Sequence, residues 1–143
     1  MRIGKFLISF IAIFTIVSPY LADWNETHIY NPKWTAHAKF HNAQTMIFGI
    51  LLGLISLYTL WIRRDISAKE KLNQATLFAS LYWLAQMPAI LFPGTAFADE
   101  GGIQMPTVFG FQTNQLIMCL FFVLPILTIG YFIEQKRISN IKN

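Results

Sequence analysis

Charge is absent from four long stretches of the chain: Phe6 to Ala22, Asn42 to Ile62, Leu72 to Ala98 and Gly101 to Ile133. About 20 apolar residues carry a helix across the hydrocarbon core of a bilayer. The first stretch is slightly short, but Lys5 can reach its amine to one interface and Trp24 can sit at the other. The last two are too long, and Pro93, Gly94, Gly101, Gly102 and Pro106 interrupt them. Helical spans are therefore expected near 5–22, 43–62, 74–92 and 112–133. The predicted fold class is all-α, an integral membrane four-helix bundle in a single domain covering residues 1–143. Asn31-Pro32 is a helix start, with asparagine able to cap and proline tolerated in the first turn, so the second helix begins in the interface before it enters the membrane.

Basic residues orient the spans. Arg2 and Lys5 flank the first, Arg63, Arg64, Lys69 and Lys71 join the second to the third, and Lys136, Arg137 and Lys142 follow the fourth. Only Lys33 and Lys39 fall in the remaining loops. This distribution predicts both termini in the cytoplasm (N-in/C-in) of a plasma (inner) membrane, with the Asp23 to His41 segment and the 93–111 loop outside. Met1 to Lys5 followed by an apolar run to Val17 also has the build of a signal peptide. Cleavage before Asp23 would place Tyr20 where a small residue is required, so the four-span form is preferred; the later spans keep their direction either way.

Composition agrees: 55% of residues are hydrophobic and 13% charged. The net charge of +4 would raise nucleic-acid binding in a soluble protein, but here the basic residues sit in short clusters beside apolar runs, and no nucleic-acid partner is expected. The expected partners are membrane lipids, an apolar small molecule and a second membrane protein. The one cysteine, Cys119, lies within an apolar run and is read as a packing residue. Gly49 and Gly53 form a small-xxx-small pair for helix packing inside the bundle, and Pro88 and Pro125 mark kinks.

All three histidines fall in the segment D-W-N-E-T-H-I-Y-N-P-K-W-T-A-H-A-K-F-H, Asp23 to His41. On a helix starting at Pro32, His37 and His41 share one side. Such a pair can ligate a metal with His28, Asp23 or Glu26 from the preceding loop, a divalent ion such as zinc being the cofactor this pattern suits. It can also transfer protons, or hydrogen-bond lipid head groups and serve packing alone.

Antiparallel spans bring further polar residues to the same outer depth. Asp23 and Asn25 end the first, His37, His41 and Gln44 begin the second, Gln86 ends the third, and Gln112, Asn114 and Gln115 begin the fourth. Polar groups at membrane depth are costly unless paired or turned to a wet cavity, so this points to an outward-opening polar site, with an interhelical hydrogen-bond network as the alternative. The 93–111 loop carries Phe97, Ile103, Met105, Val108, Phe109 and Phe111, and is read as a lid or a surface-lying connection.

The residues Asp23-Trp24-Asn25, Thr27-His28, Asn31-Pro32, Trp34 and His37-Ala38-x-Phe40-His41, set between two spans, resemble a family of small four-span membrane proteins carried as a domain of unknown function. The resemblance implies the four-helix architecture and marks the histidine segment, but no activity. Desaturase-like chemistry needs many more histidines, and phosphate loops, CxxC pairs and serine elbows are absent from the sequence. The leading expectation is a site, binding or catalytic, for an apolar or lipid-like molecule, with His37, His41 and Asp23 or His28 as chemical groups and Asn31, Trp34, Gln44, Gln86, Asn114 and Gln115 lining it. The contrasting one is a noncatalytic membrane subunit or scaffold that docks a partner through Trp24, Tyr30 and Trp34.

Overall fold

A computed structural model of the chain describes residues 2–97, 107–108 and 110–142. Its elements are α1 (Ile3–Asp23), α2 (Ala36–Trp61), α3 (Ala68–Ala89), a short α4 (Gln115–Met118) and α5 (Leu124–Lys142). A π-helical turn, Cys119–Val123, joins the last two into one rod. The architecture is all-helical except for a two-residue antiparallel ladder, β1 (Thr107–Val108) against β2 (Phe111–Gln112), with Gly110 between them at φ 81°. Of the apolar residues read as a lid, Ile103, Met105 and Phe109 lie outside the described residues.

Local chemistry explains where the helices depart from the expected spans. Asn31 Oδ1 accepts from the Lys33 N–H and holds a turn, so α2 starts not at Pro32 but after Thr35, whose hydroxyl caps the Ala38 N–H. Ser67 and Glu70 form a reciprocal capping box, which starts α3 six residues before the expected position. Pro125 cannot donate to the carbonyl one turn back and its ring crowds that carbonyl. The chain widens just before it: the Leu124 N–H bonds Cys119 O, five residues back. Beyond position 133 the last helix continues through Lys142, across Glu134 and Arg137.

Among the described residues three helices are long and apolar enough to cross a membrane: α1, α2 and the Gln115–Ile141 rod. Helix α3, expected as a span at 74–92, is not one of them; Asn73, Gln74, Thr76, Ser80 and Gln86, with the charged first turn, dilute its apolar content. Apolar side chains cover the outside. Along α1, Phe6, Phe10, Ile13, Val17 and Leu21 are all exposed at helical spacing, from 44% to 75%. A continuous apolar stripe of this kind suits hydrocarbon and not water.

Cross-helix bonds fix an antiparallel order. Lys5 Nζ donates to Leu60 O at 2.8 Å and Trp61 Nε1 to Ser9 Oγ at 2.8 Å, joining the start of α1 to the end of α2. Trp83 Nε1 donates to Thr15 Oγ1 at 2.7 Å in the core, and Ser56 Oγ donates to Ala75 O at 2.8 Å. Around these bonds pack Ile8, Ile11, Ala12, Leu72, Ala79, Val123 and Leu127. Glycines let the backbones approach. A Cβ on Gly53 would stand 2.5 Å from Ala12 O, one on Gly49 2.8 Å from Thr15 O, and one on Gly4 would run into Gly130 O. The Gly49–Gly53 pair thus packs within the bundle, against α1.

Candidate functional site

Helices α1 and α2 are joined by residues 24–35, whose side chains satisfy the loop's own backbone. Asn25 Nδ2 donates to Ala22 O, and its Oδ1 accepts from both the backbone and hydroxyl of Thr27. Asn31 Nδ2 donates to Thr27 O, and Trp24 Nε1 donates to Tyr30 Oη at 2.6 Å. Trp34 meets the His28 ring edge-on, centroids 5.1 Å apart. Much of the distinctive D-W-N-x-T-H…N-P-x-W pattern therefore builds a defined loop, and the residue it positions is His28.

The tautomer of a neutral His28 follows from its partners. Thr27 has one hydroxyl proton, which goes to Asn25 Oδ1 at 2.6 Å, so its oxygen accepts from His28 Nδ1–H, also at 2.6 Å. The neutral ring then carries its lone pair on Nε2, which lies 3.8 Å from Asp23 Oδ1. Two acceptors face each other across that gap, and a proton or a donor group between them satisfies both. The other carboxylate oxygen, Asp23 Oδ2, accepts from Asn42 Nδ2 at 2.8 Å. Asp23 is 14% exposed and His28 28%, so the pair is sheltered but reachable.

More polar groups gather at this end. Tyr82 of α3 lies near Gln86 and close enough to Asp23 to feel its charge. Among the described residues, three buried side-chain atoms have no hydrogen-bond partner: Ser18 Oγ, Asn42 Oδ1 and Gln86 Oε1. They come from α1, α2 and α3, and all belong to the end of the bundle where Asp23 sits. Buried polar atoms in folded proteins are almost always paired, so three orphans at one end are unusual.

The histidines divide into two places. His37 and His41 are exposed on α2, with Nε2 atoms 3.1 Å apart, and Gln44 Oε1 lies 3.2 Å from His41 Nδ1. At about 100° per residue, these three positions lie about 100° or more from the stripe of Met46, Gly49 and Gly53 that faces the bundle, whereas Asn42 falls on it. Asn114 is committed as the cap of α4, its Oδ1 accepting from the Ile117 N–H at 2.9 Å, and Gln115 is exposed. Of the residues expected to line one outer site, the structure pairs Asp23 with His28 and puts Gln86 at the same end of the bundle, while His37, His41 and Gln44 lie exposed on another side of α2 and Gln115 is exposed. No group of three or more metal-ligating side chains forms among the described residues: His28 pairs with Asp23, and His37 with His41.

Sequence reasoning passed over Ser18, Asn42 and Tyr82. The signal for Asn42 was available: it continues the stripe of Met46, Gly49 and Gly53, while its neighbour His41 does not. Also missed was Glu134, 1% exposed and held by Arg137 at 2.6 Å at the opposite end of the bundle. A groove of about 330 Å³ between α3 and α5, lined by Thr76, Ser80, Leu127 and Tyr131 among others, lies apart from the cluster.

Residues 7–142 match the model of a family described as a family of unknown function (DUF6640). No curated protein and no solved structure matches the chain.

Proposed function

The chain belongs to this family of unknown function, and from that premise we propose that it is a four-span membrane protein that binds an apolar small molecule carrying hydrogen-bond donors. In this reading all four helices cross, both termini are cytoplasmic and the His28 loop lies outside in the plasma membrane, as the basic residues direct. Beyond the charged first turn, residues 72–89 of α3 give roughly 27 Å of helix at 1.5 Å each, close to the thickness of the hydrocarbon core.

The observation that carries the proposal is the set of orphaned polar atoms, Ser18 Oγ, Asn42 Oδ1 and Gln86 Oε1, on three helices at the end of the bundle that holds the Asp23–His28 pair, Asn42 being bonded to Asp23 itself. Two of the three are amide oxygens, which only accept, so the complement they suit is a hydroxyl or amide donor on a body apolar enough to leave the lipid phase. Asp23 and His28 add a place for a proton to be taken from or returned to that molecule, which is the chemistry a catalytic version would use. His37 and His41 have no part in this version of the site, because they face away from the bundle.

Purification of the full chain in detergent, followed by mass spectrometry of extracted small molecules, tests the proposal. A bound species with a hydroxyl or amide is expected in the wild type and is lost in a folded Asn42→Leu/Gln86→Leu variant. An identical lipid complement in both defeats it, and points to the scaffold reading, for which the exposed Trp24 and Tyr30 side chains, bonded to each other, are the available surface.

A further inference from the structure

We infer that His37 and His41 form a two-imidazole site for a divalent cation of the zinc, nickel and copper class on the outer face of α2, with Gln44 positioning one ligand. The inference is independent of the Asp23–His28 site and uses none of its residues.

Three observations carry it. The first is spacing: the two Nε2 atoms stand 3.1 Å apart. Two metal–imidazole bonds of about 2.0–2.1 Å meeting at a tetrahedral angle hold their nitrogens roughly 3.3–3.4 Å apart. Small side-chain rotations therefore exchange the contact between the rings for a shared metal, with no movement of the helix.

The second is the tautomer. Gln44 Oε1, an amide oxygen, can only accept, so at 3.2 Å it takes the proton of His41 Nδ1–H. The neutral ring is left with its lone pair on Nε2, aimed at Nε2 of His37. A carbonyl oxygen on the far nitrogen is the arrangement that orients a metal-bound histidine and raises its basicity. Without a metal, His37 Nε2 must supply the only proton between the rings; with one, both lone pairs are used.

The third is access. Both histidines and Gln44 are exposed, at the start of α2 where the chain leaves the His28 loop. No described acidic side chain joins them, so the chain supplies two nitrogen ligands and leaves the remaining positions to water or another donor. Imidazole without thiolate or carboxylate selects against calcium and magnesium and for the later first-row ions.

The test uses full-length protein in detergent and zinc alone as the probe, with competition against a chromophoric chelator. One zinc per chain is expected. His37→Ala and His41→Ala should each weaken binding about 10-fold or more, and the double variant should leave no saturable site. Gln44→Leu keeps both ligands and is expected to weaken binding toward the about 10-fold end of second-shell effects. Copper added to the wild type should show two coupled imidazole nitrogens by electron paramagnetic resonance, and one in either single variant. His28→Gln should leave zinc affinity unchanged. Because the His37, His41 and Gln44 side chains are exposed, unchanged melting temperatures are expected to accompany the losses. Absence of stoichiometric zinc in the wild type overturns the inference, as does a loss with His28→Gln equal to that with His37→Ala.

Discussion

Asn42 donates its side-chain amide to Asp23 Oδ2 at 2.8 Å, so the last residue of α1 is tied to the second turn of α2 across 19 positions of sequence. The bond fixes the carboxylate that faces His28 and leaves the amide oxygen of Asn42 buried without a partner. Asn42→Ala should cost about 1–3 kcal/mol, the range for a hydrogen bond to a charged group whose loss strands the other partner. Asp23→Asn retains an acceptor for the amide and should cost less, while removing the charge opposite His28. Denaturant titration in detergent micelles distinguishes them, and equal losses would show that the bond is not what holds Asp23.

A buried pair in the core can be treated the same way. Trp83 Nε1 donates to Thr15 Oγ1 at 2.7 Å, and the indole also stacks on Phe14 at 5.3 Å with planes 2° apart. Thr15→Val leaves the indole N–H without an acceptor and should cost about 1–3 kcal/mol. Trp83→Phe adds the loss of packing. A double-mutant cycle over the two positions should return a coupling energy of about 1 kcal/mol, and a coupling near zero would show that the bond contributes nothing.

Gly53→Ala places a methyl group 2.5 Å from both Ala12 O and Ile16 Cγ1, one of them backbone that cannot turn aside. The expected loss is about 1–3 kcal/mol, typical of overpacking. Gly94→Ala meets no neighbouring atom but must hold φ 77°, so its cost of about 1 kcal/mol arises from the backbone alone. Melting temperatures of the two variants should therefore fall by unequal amounts, with Gly53→Ala the lower.

The α2–α3 connection carries a pH signature. The hydrogen bond from Arg63 holds the Asp65 carboxyl below the ordinary range, and the Ser67 hydroxyl and backbone N–H do the same for Glu70. Groups with lowered values stabilise the fold above their unfolded-state values, and that contribution is lost as pH falls through the folded-state ones. Both carboxylates are fully exposed, so the effect on global stability is small. Carbon-detected NMR titration should place both midpoints below those of model peptides, and Arg63→Ala should return Asp65 toward its ordinary value.

Sidedness is testable directly. In a Cys119→Ala background, a cysteine at position 67 should resist membrane-impermeant maleimide in intact cells, and one at position 26 should react. The reverse pattern would invert the orientation assigned from the basic residues.

The helical architecture was legible because absence of charge over long stretches is a property of composition, and α1 ends within two residues of its expected bounds. Helix ends were less legible, since capping by Thr35 and by Ser67 with Glu70 depends on single side chains that hydropathy does not weigh. The histidine segment stood out by residue type, yet type does not tell side from side. One position along α2 separates exposed His41 from Asn42 on the bundle face, and only the packing of Gly49 and Gly53 against α1 fixes which faces inward. Asp23 and Gln86 share one end of the bundle, as antiparallel helix order alone requires. Tyr82 was not legible, because an aromatic in an apolar stretch gives no sign that its hydroxyl has polar company.

The glycine contacts carry a consequence for how the molecule is assembled. Helix α1 packs on α2, α3 and α5, so it occupies a shared position among the others. Of the helices it is synthesised before all its partners, yet one of its closest crossings, Gly4 on Gly130, involves a helix made last. The surface of α1 around Gly4 and Ile8 therefore lacks this partner until Gly130 has been made, and the pairing of α1 with α2 can form long before its pairing with α5. A ribosome stalled before residue 130 should leave a nascent chain in which the α1–α2 crossing is already protected and the α1–α5 crossing is still open to lipid. In this order of events, α1 is the helix whose packing is finished only when α5 arrives.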